Sequence, residues 1–292
     1  VILLGLFFVV DILLSRRIQS FDNYSYSTMT DIVHNRINPD LIILGSSCGL
    51  HAFDPHYLDT SLNMDTYNLS MDGYHFNFQY ARYKLCMAHH VVPKYIIQEI
   101  DFESVLKYHS FKGEQFLPYF YDPAFRMHCI PIDYDIWDKY IPMKRYYGHS
   151  DLIKSVLWDS YWEHPAYKGY CGNDGVYDSK EYEAADSLFF TIDELNLKQQ
   201  LAFLEETSSL GIKVIFVIVP IYSQMLKKVC NLQEMYTLYD SLASCYSVPL
   251  LDYSSLPLCE DTTYFFSATH LNIKGMNRFE PILISDLKTI IK

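Results

Sequence analysis

Positive charge is scarce in this sequence. Its 292 residues include 23 Lys and Arg against 35 Asp and Glu, which gives a formal net charge of −12. No long basic or acidic tract is present. Because phosphate binding needs clustered Lys and Arg, the composition argues against a nucleic-acid partner.

Metal and disulfide signatures are also lacking. None of the seven cysteines is paired in a C-x-x-C spacing, so the sequence predicts neither a zinc site nor a disulfide scaffold. His89 and His90 stand together, but at the end of a predicted helix, where positive charge suits the helix dipole. We therefore expect no metal and no cofactor.

A long apolar run, by contrast, opens the chain. Residues 1–14 are apolar apart from Asp11, and Arg16 and Arg17 follow. Fourteen helical residues span about 21 Å, less than the ~30 Å hydrocarbon core of a bilayer, and a few more apolar residues upstream would close the gap. We expect residues 1–19 to be a membrane anchor or signal-anchor that contacts the membrane through residues 1–14. The alternative is a helix buried in the core.

Strand and helix patterns alternate in residues 20–292, after a polar link over 20–38. Five short apolar runs are typical of buried strands: residues 40–45, 66–70, 94–101, 213–220 and 248–253. Helical signals separate them, at residues 76–90, 191–211 (with Thr191 as the expected cap), 223–244 and from 273 onward. Continuous apolar strands separated by helices predict a parallel sheet covered on both faces. The predicted fold class is α/β, a three-layer, five-stranded, flavodoxin-like parallel sheet.

The alternation breaks over residues 102–190. This stretch holds the three tryptophans, Trp137, Trp158 and Trp162, and twelve tyrosines. We interpret it as an aromatic-rich insertion after the third strand. Its rings could stack on a sugar, but packing of the insertion onto the sheet is the favoured interpretation.

Polar residues follow four of the predicted strands. Gly45, Ser46 and Ser47 come after the first strand, Asp72 and Gly73 after the second, Asp101 after the third, and His270 after the fifth. Ligands of open parallel sheets bind at the carboxyl ends of strands, so we expect Ser47 and His270 to share one edge. A serine hydroxyl becomes a useful nucleophile when a neighbouring base takes its proton, and His270 is the candidate base.

Two of these segments resemble a known family. "ILGSS" near the start and "THLNIKG" near the end resemble the SGNH/GDSL hydrolase superfamily. The closer likeness is to its envelope-associated branch, where Gly-Ser-Ser replaces Gly-Asp-Ser. That branch includes the D-alanine transfer protein of teichoic-acid synthesis and the alginate O-acetylation proteins.

The resemblance implies a set of roles. Ser47 would be the nucleophile and His270 its base, while the backbone N–H groups of Ser47 and Gly73 would form an oxyanion hole. Asp101 stands where the family has an Asn donor. The implied activity is that of a serine esterase or O-acyltransferase acting on small acyl esters of envelope glycans. A membrane-bound acyltransferase partner and a domain outside the cytoplasmic membrane are implied too, although Arg16 and Arg17 alone would favour the cytoplasm.

The sequence departs from the family at the residue that orients the histidine. The family pattern is Asp-x-x-His, and here Ser267 takes the place of the acid. Either Ser267 accepts the imidazole hydrogen bond, or another acid such as Asp261 replaces the missing carboxylate. A catalytically silent glycan-binding or scaffold protein is the alternative, and a cytoplasmic small-molecule esterase is a third hypothesis if residues 1–19 are a core helix.

Other residues near Ser47 have competing interpretations. Cys48 could be a thiol activated at a helix start. His51 lies one helical turn after Ser47 and could face it, although packing beside the helix is the favoured interpretation. Ser46 and Ser47 could also be a plain helix cap.

Overall fold

A five-stranded parallel sheet organises the larger part of the chain in the computed structural model. Its strands are β1 (Leu41–Leu44), β2 (Thr66–Asn68), β3 (Tyr95–Glu99), β4 (Lys213–Ile218) and β5 (Leu250–Asp252). Their spatial order is β2-β1-β3-β4-β5, and every neighbouring pair is parallel. The predicted three-layer α/β fold with a flavodoxin-like sheet is confirmed. The apolar runs located each strand to within two residues at either end.

The structure describes residues 2–21, 24–73, 76–89, 92–103, 113–128, 136–158, 166–178 and 187–291. Trp162 and His90 lie outside the described residues. The chain divides into two compact units, which we call the helical unit (residues 1–37, 81–90 and 109–166) and the sheet unit (residues 38–80, 91–108 and 167–292). The aromatic-rich stretch of 102–190 is therefore shared between the two units.

The α-helices in the described ranges are α1 (Ile2–Gln19), α2 (Tyr24–Val33), α3 (Ser47–Ala52), α4 (Pro55–Leu62), α5 (Phe76–His89), α6 (Pro123–His128), α7 (Ile136–Tyr140), α8 (Ser150–Trp158), α9 (Glu194–Ser209), α10 (Ser223–Leu226), α11 (Leu232–Tyr246) and α12 (Ile273–Ile290). Short 3-10 helices cover Gly113–Tyr119, Lys144–Tyr146, Pro257–Glu260 and Thr262–Tyr264.

The burial of the strands explains why apolar runs in the sequence predicted their positions. Every residue of β1, β2 and β3 is buried, and β4 is buried except at its first residue, Lys213. Such strands are covered on both faces, so they are apolar in nearly continuous runs. Buried polar residues occur in β2 and at the end of β3, and they are hydrogen-bonded: Asn68 Nδ2 donates to Gly49 O and Phe53 O, each at 3.0 Å. Gln98 and Gln200 of α9 exchange side-chain hydrogen bonds of 2.6 and 3.0 Å.

Three predictions about helices are wrong. The stretch over 20–38, predicted to be a polar link, contains the helix α2. The cap of α9 is Asp193, whose side chain accepts from Asn196 N, rather than Thr191. The predicted helix over 223–244 is two helices, because the backbone between them pairs with Leu188, which accepts from Cys230 N and donates to Lys228 O.

Within the helical unit, α1 carries one fully buried charge. The Asp11 carboxylate pairs with the Arg145 guanidinium, with one hydrogen bond from Nη1 to Oδ2 of 2.9 Å, and it also accepts from Met143 N at 2.6 Å. Ser15 Oγ lies 2.8 Å from the Tyr146 hydroxyl. Met143 and Arg145 lie more than 130 residues from Asp11 along the chain, so the apolar run over 1–14 does not predict these contacts. Among the described helices, none is both long enough and apolar enough to cross a membrane.

Candidate active site

The turn after β1 presents Ser47 at the start of α3. Ser46 has extended backbone angles and is the N-cap, and its Oγ accepts from Cys48 N at 3.1 Å. The plain helix-cap interpretation therefore holds for Ser46, while the Ser47 hydroxyl serves another contact. Gly45 is required at this turn, because a Cβ there would lie 2.7 Å from Glu99 Oε2.

His270 reaches Ser47 from the loop after β5. Phe265 and Leu271 form an antiparallel bridge, and Phe266 N donates to His270 O at 3.0 Å, which closes a tight loop. The loop is followed by α12, whose N-cap Asn272 accepts from Gly275 N. His270 Nε2 lies 2.7 Å from Ser47 Oγ, so two residues 223 positions apart share one sheet edge.

Ser267, and not Asp261, contacts the far side of the imidazole. Ser267 Oγ lies 2.5 Å from His270 Nδ1, and Thr269 Oγ1 lies 3.2 Å from the same atom. If His270 Nε2 accepts the Ser47 proton, Nδ1 must carry the ring hydrogen, and Nδ1–H then donates a hydrogen bond to Ser267 Oγ. Asp261 instead caps the 3-10 helix Thr262–Tyr264, where it accepts from Thr263 N at 2.9 Å.

Burial weakens His270 as a base. Burial and, to a smaller extent, the nearby His51 ring together lower the pKa of His270 to about 4, and Asp72 opposes them. At neutral pH the imidazole is therefore uncharged and able to accept a proton. The imidazolium that would form is poorly stabilised, because a hydroxyl replaces the usual carboxylate partner.

His51 lies beside His270 as well as packing against the protein. Its ring centroid is 5.5 Å from that of His270 and 4.8 Å from that of Phe266, and Phe266 stacks on His270 at 5.2 Å. Its Nδ1 lies 2.5 Å from Cys171 O. The sequence favoured packing for His51, and the structure shows packing and proximity to the base together.

The predicted oxyanion-hole residues differ in what they offer. Ser47 is the first residue of α3, and a helix leaves its first N–H groups without intrahelical partners. Gly73 has φ of +72°, which glycine adopts without strain. Asp101 accepts hydrogen bonds from Ser46 Oγ at 3.0 Å and from Glu103 N at 2.8 Å. An oxyanion hole needs donors, so these contacts give the predicted role of Asp101 no support.

A buried carboxyl pair, Glu99 and Asp101, lies beneath the turn, and no pattern in the sequence predicted it. Glu99 Oε2 accepts from Ser46 N at 2.8 Å and lies 3.0 Å from Ser46 Oγ, which also contacts Asp101. Burial, together with the charge of Asp101, raises the pKa of Glu99 well above its ordinary range. The only sequence signal was a Glu at the end of an apolar strand, which does not reveal its partner 53 residues away.

Cys48 is poorly suited to the nucleophile role. Its Sγ donates to Thr269 O at 3.3 Å, and burial and the neighbouring carboxyl groups raise the pKa of its thiol. The candidate ligand atoms of Cys48, Glu99 and Asp101 lie within 4.8 Å of one another, a spacing that a metal ion could use. Metals bind the thiolate, however, which this environment disfavours. His89, the other metal candidate, contacts Asp122 at 3.2 Å.

Comparison with known proteins gives distant likenesses. No protein-family model matches the chain, and no curated protein matches it. It is similar to a "putative acylhydrolase" from Bacteroides fragilis, with 11% identity and a TM-score of 0.44 over 89% of this chain and 97% of that chain. It is also similar to a GDSL-like lipase from Bacteroides thetaiotaomicron, with 10% identity and a TM-score of 0.44 over 90% of this chain and 99% of that chain. At these values the likeness defines no activity, and the functional case rests on Ser47 and His270.

Proposed function

We propose that this chain is a serine esterase or O-acyltransferase that uses Ser47 as nucleophile and His270 as general base. The observation that carries the proposal is the 2.7 Å contact between Ser47 Oγ and His270 Nε2. Ser267 supports it by accepting at Nδ1, which leaves Nε2 free to take a proton. The site stands at the carboxyl ends of parallel strands, where ligands of such sheets bind.

The reaction would proceed through an acyl-enzyme. Ser47 Oγ attacks the acyl carbonyl while its proton passes to His270 Nε2. The N–H groups of Ser47 and Gly73 would stabilise the oxyanion, and each donor in such a hole is worth about 3–4 kcal/mol elsewhere. His270 then returns the proton to the leaving alcohol. Water or another hydroxyl resolves the acyl-serine by the same proton route.

We expect this site to be slow by the standard of a carboxylate triad. Loss of the triad carboxylate costs about 10⁴ in rate elsewhere, mainly through the wrong histidine tautomer. Ser267 Oγ is placed to accept from Nδ1 in the tautomer that the mechanism needs, so the main remaining deficit is the unstabilised imidazolium. The low pKa of His270, about 4, is consistent with that deficit.

The substrate class follows from the resemblance of "ILGSS" and "THLNIKG" to the envelope-associated branch. We propose a small acyl ester as donor and an envelope glycan as acceptor. The accompanying proposals are a membrane-bound acyltransferase partner, membrane contact through residues 1–14 and an extracytoplasmic location.

The test is hydrolysis of p-nitrophenyl acetate by the whole chain, since Asp11 of α1 is part of the helical unit's core. We expect activity in the wild type and its loss in Ser47→Ala, with an acetyl group on Ser47 detectable by mass spectrometry after acid quench. Ser241→Ala is the matched control, because Ser241 is an exposed helical serine whose hydroxyl donates to Thr237 O within its own helix. Equal activity in the wild type and Ser47→Ala would show that Ser47 is not the nucleophile and would contradict the proposal.

A silent glycan-binding protein is the second candidate, favoured by Ser267 in place of a carboxylate. Trp137 and Trp158 are exposed, and such rings can stack on sugars. Saturable binding of a glycan by a chain that forms no acyl-Ser47 would establish this candidate. Detection of acyl-Ser47 would exclude it.

A further inference from the structure

His51 and Ser47 occupy one face of α3. They are four residues apart, and residues at that spacing are neighbours on a helix surface. The His51 ring lies nearly perpendicular to that of His270, at 81°, with their centroids 5.5 Å apart. Two imidazoles therefore stand side by side at the nucleophile, and the proposed mechanism uses only one.

The protonation of His51 follows from its partner. A backbone carbonyl can only accept, so the 2.5 Å contact with Cys171 O requires His51 Nδ1 to carry the proton. Burial lowers the pKa of His51, which keeps the ring neutral. The lone pair is then on Nε2. Across the described part of the chain, no side chain or backbone group donates to that atom, and the ring is only partly buried.

The position of His51 is set by contacts on its other edges. Cys171 O fixes Nδ1, and Phe266 packs against the ring edge-on at 4.8 Å while stacking on His270. His51 and His270 therefore keep a fixed separation through a shared neighbour. A preorganised acceptor at a fixed distance from a catalytic base suits a ligand that carries two donors at a matching spacing.

We propose that His51 Nε2 binds a second hydroxyl of a polyol acceptor while the first hydroxyl attacks the acyl-enzyme at His270. The inference rests on the proposed function. In the step itself, the attacking hydroxyl gives its proton to His270 Nε2 and its oxygen forms the new ester bond. The bond between the acyl carbon and Ser47 Oγ breaks, and His270 returns the proton to Ser47. His51 accepts a hydrogen bond throughout and exchanges no proton, so it is a positioning residue that selects vicinal diols over simple alcohols.

The test compares two acceptors in one reaction. The whole chain is incubated with p-nitrophenyl acetate and equal concentrations of propane-1,2-diol and propan-1-ol, and the two acetate esters are quantified. We expect the wild type to favour the diol by about tenfold or more and His51→Phe to reduce that ratio to near one. His51→Gln, which keeps a donor for Cys171 O and an acceptor oxygen, should retain part of the preference. The ratio is internal to each variant, so general damage to the fold does not change it.

A second readout separates this inference from the proposed function. In Ser47→Ala protein with ¹⁵N-labelled histidine, propane-1,2-diol should shift the His51 Nε2 resonance saturably, and propan-1-ol should not. Absence of acyl-Ser47 in the wild type overturns the proposed function but leaves this binding measurement valid. A wild type that is acylated yet shows no diol preference overturns the role of His51, and so does an Nε2 resonance that the diol does not move.

Discussion

Ser267 Oγ lies 2.5 Å from His270 Nδ1, within a loop closed by the bridge between Phe265 and Leu271. A carboxylate in this place would orient the imidazole and also stabilise its charged form. The Ser267 hydroxyl can orient the imidazole but cannot stabilise its charged form. Orientation of the imidazole and stabilisation of the imidazolium can therefore be tested by separate substitutions of Ser267.

A carboxylate at position 267 tests the stabilisation of the imidazolium. We expect Ser267→Asp to raise kcat/KM for p-nitrophenyl acetate by about 10- to 100-fold, because an adjacent negative charge stabilises the imidazolium. Ser267→Ala should lower kcat/KM by about tenfold, since the tautomer loses its acceptor. Asp261→Asn is the control and should leave the rate unchanged, because Asp261 bonds Thr263 and not His270. A Ser267→Asp enzyme no faster than the wild type would contradict this account.

The pH profile tests the environment of His270. A general base must be unprotonated, so activity should fall as pH drops through the pKa of His270, about 4. We expect kcat/KM to be nearly constant from pH 6 to pH 7.5 and to halve near pH 4. In Ser267→Asp the acid limb should move to higher pH, since the new charge favours the imidazolium. An acid limb near the ordinary histidine value of 6.5 in the wild type would show that His270 is not desolvated as described.

The protonated state of Glu99 gives a third prediction. Because burial raises the pKa of Glu99, a neutral Gln should replace it with little loss. We expect Glu99→Gln to change the free energy of unfolding by less than about 1 kcal/mol and the esterase rate by only a few-fold. Glu99→Ala should cost about 2–4 kcal/mol, since Ser46 N–H loses its buried acceptor and a cavity forms. Urea unfolding and ester hydrolysis measure both, and equal damage from Gln and Ala would mean that the site requires the charge.

The first turn of α12 leaves no room at Gly275. A Cβ there would lie 2.1 Å from Tyr264 O, a backbone atom that cannot move aside cheaply. We expect Gly275→Ala to lower the free energy of unfolding by about 2–3 kcal/mol through overpacking. Lys274→Ala, at the exposed neighbouring position, should change it by less than about 0.5 kcal/mol. A Gly275→Ala protein as stable as the wild type in urea would contradict the close contact.

The sequence predicted those parts of the molecule that depend on local pattern. Apolar runs located the strands, and the turn residues after them, including Ser47 and His270, came together because parallel strands end at one edge. What it missed depends on partners distant in the chain. The Glu99 contact with Ser46 spans 53 residues, and the His51 contact with Cys171 spans 120. No local pattern encodes such contacts, since they exist only after the sheet has assembled.

Glu280 of α12 gives a prediction on stability that does not involve the active site. Its Oε1 accepts from Asp54 N at 2.6 Å, and burial raises its pKa from an ordinary 4.5 to about 8. A carboxyl group with a higher pKa in the folded state favours folding only while it is protonated. Its contribution is complete below pH 4.5 and is lost as the pH rises through 8. We expect the free energy of unfolding in urea to fall between pH 5 and pH 9 by on the order of 2–4 kcal/mol more in the wild type than in Glu280→Gln.

Glu260→Gln is the control for this prediction. Glu260 is exposed, so the pH dependence of the free energy of unfolding of Glu260→Gln should follow that of the wild type. Parallel pH curves for wild type and Glu280→Gln would show that Glu280 is already ionised in the folded protein.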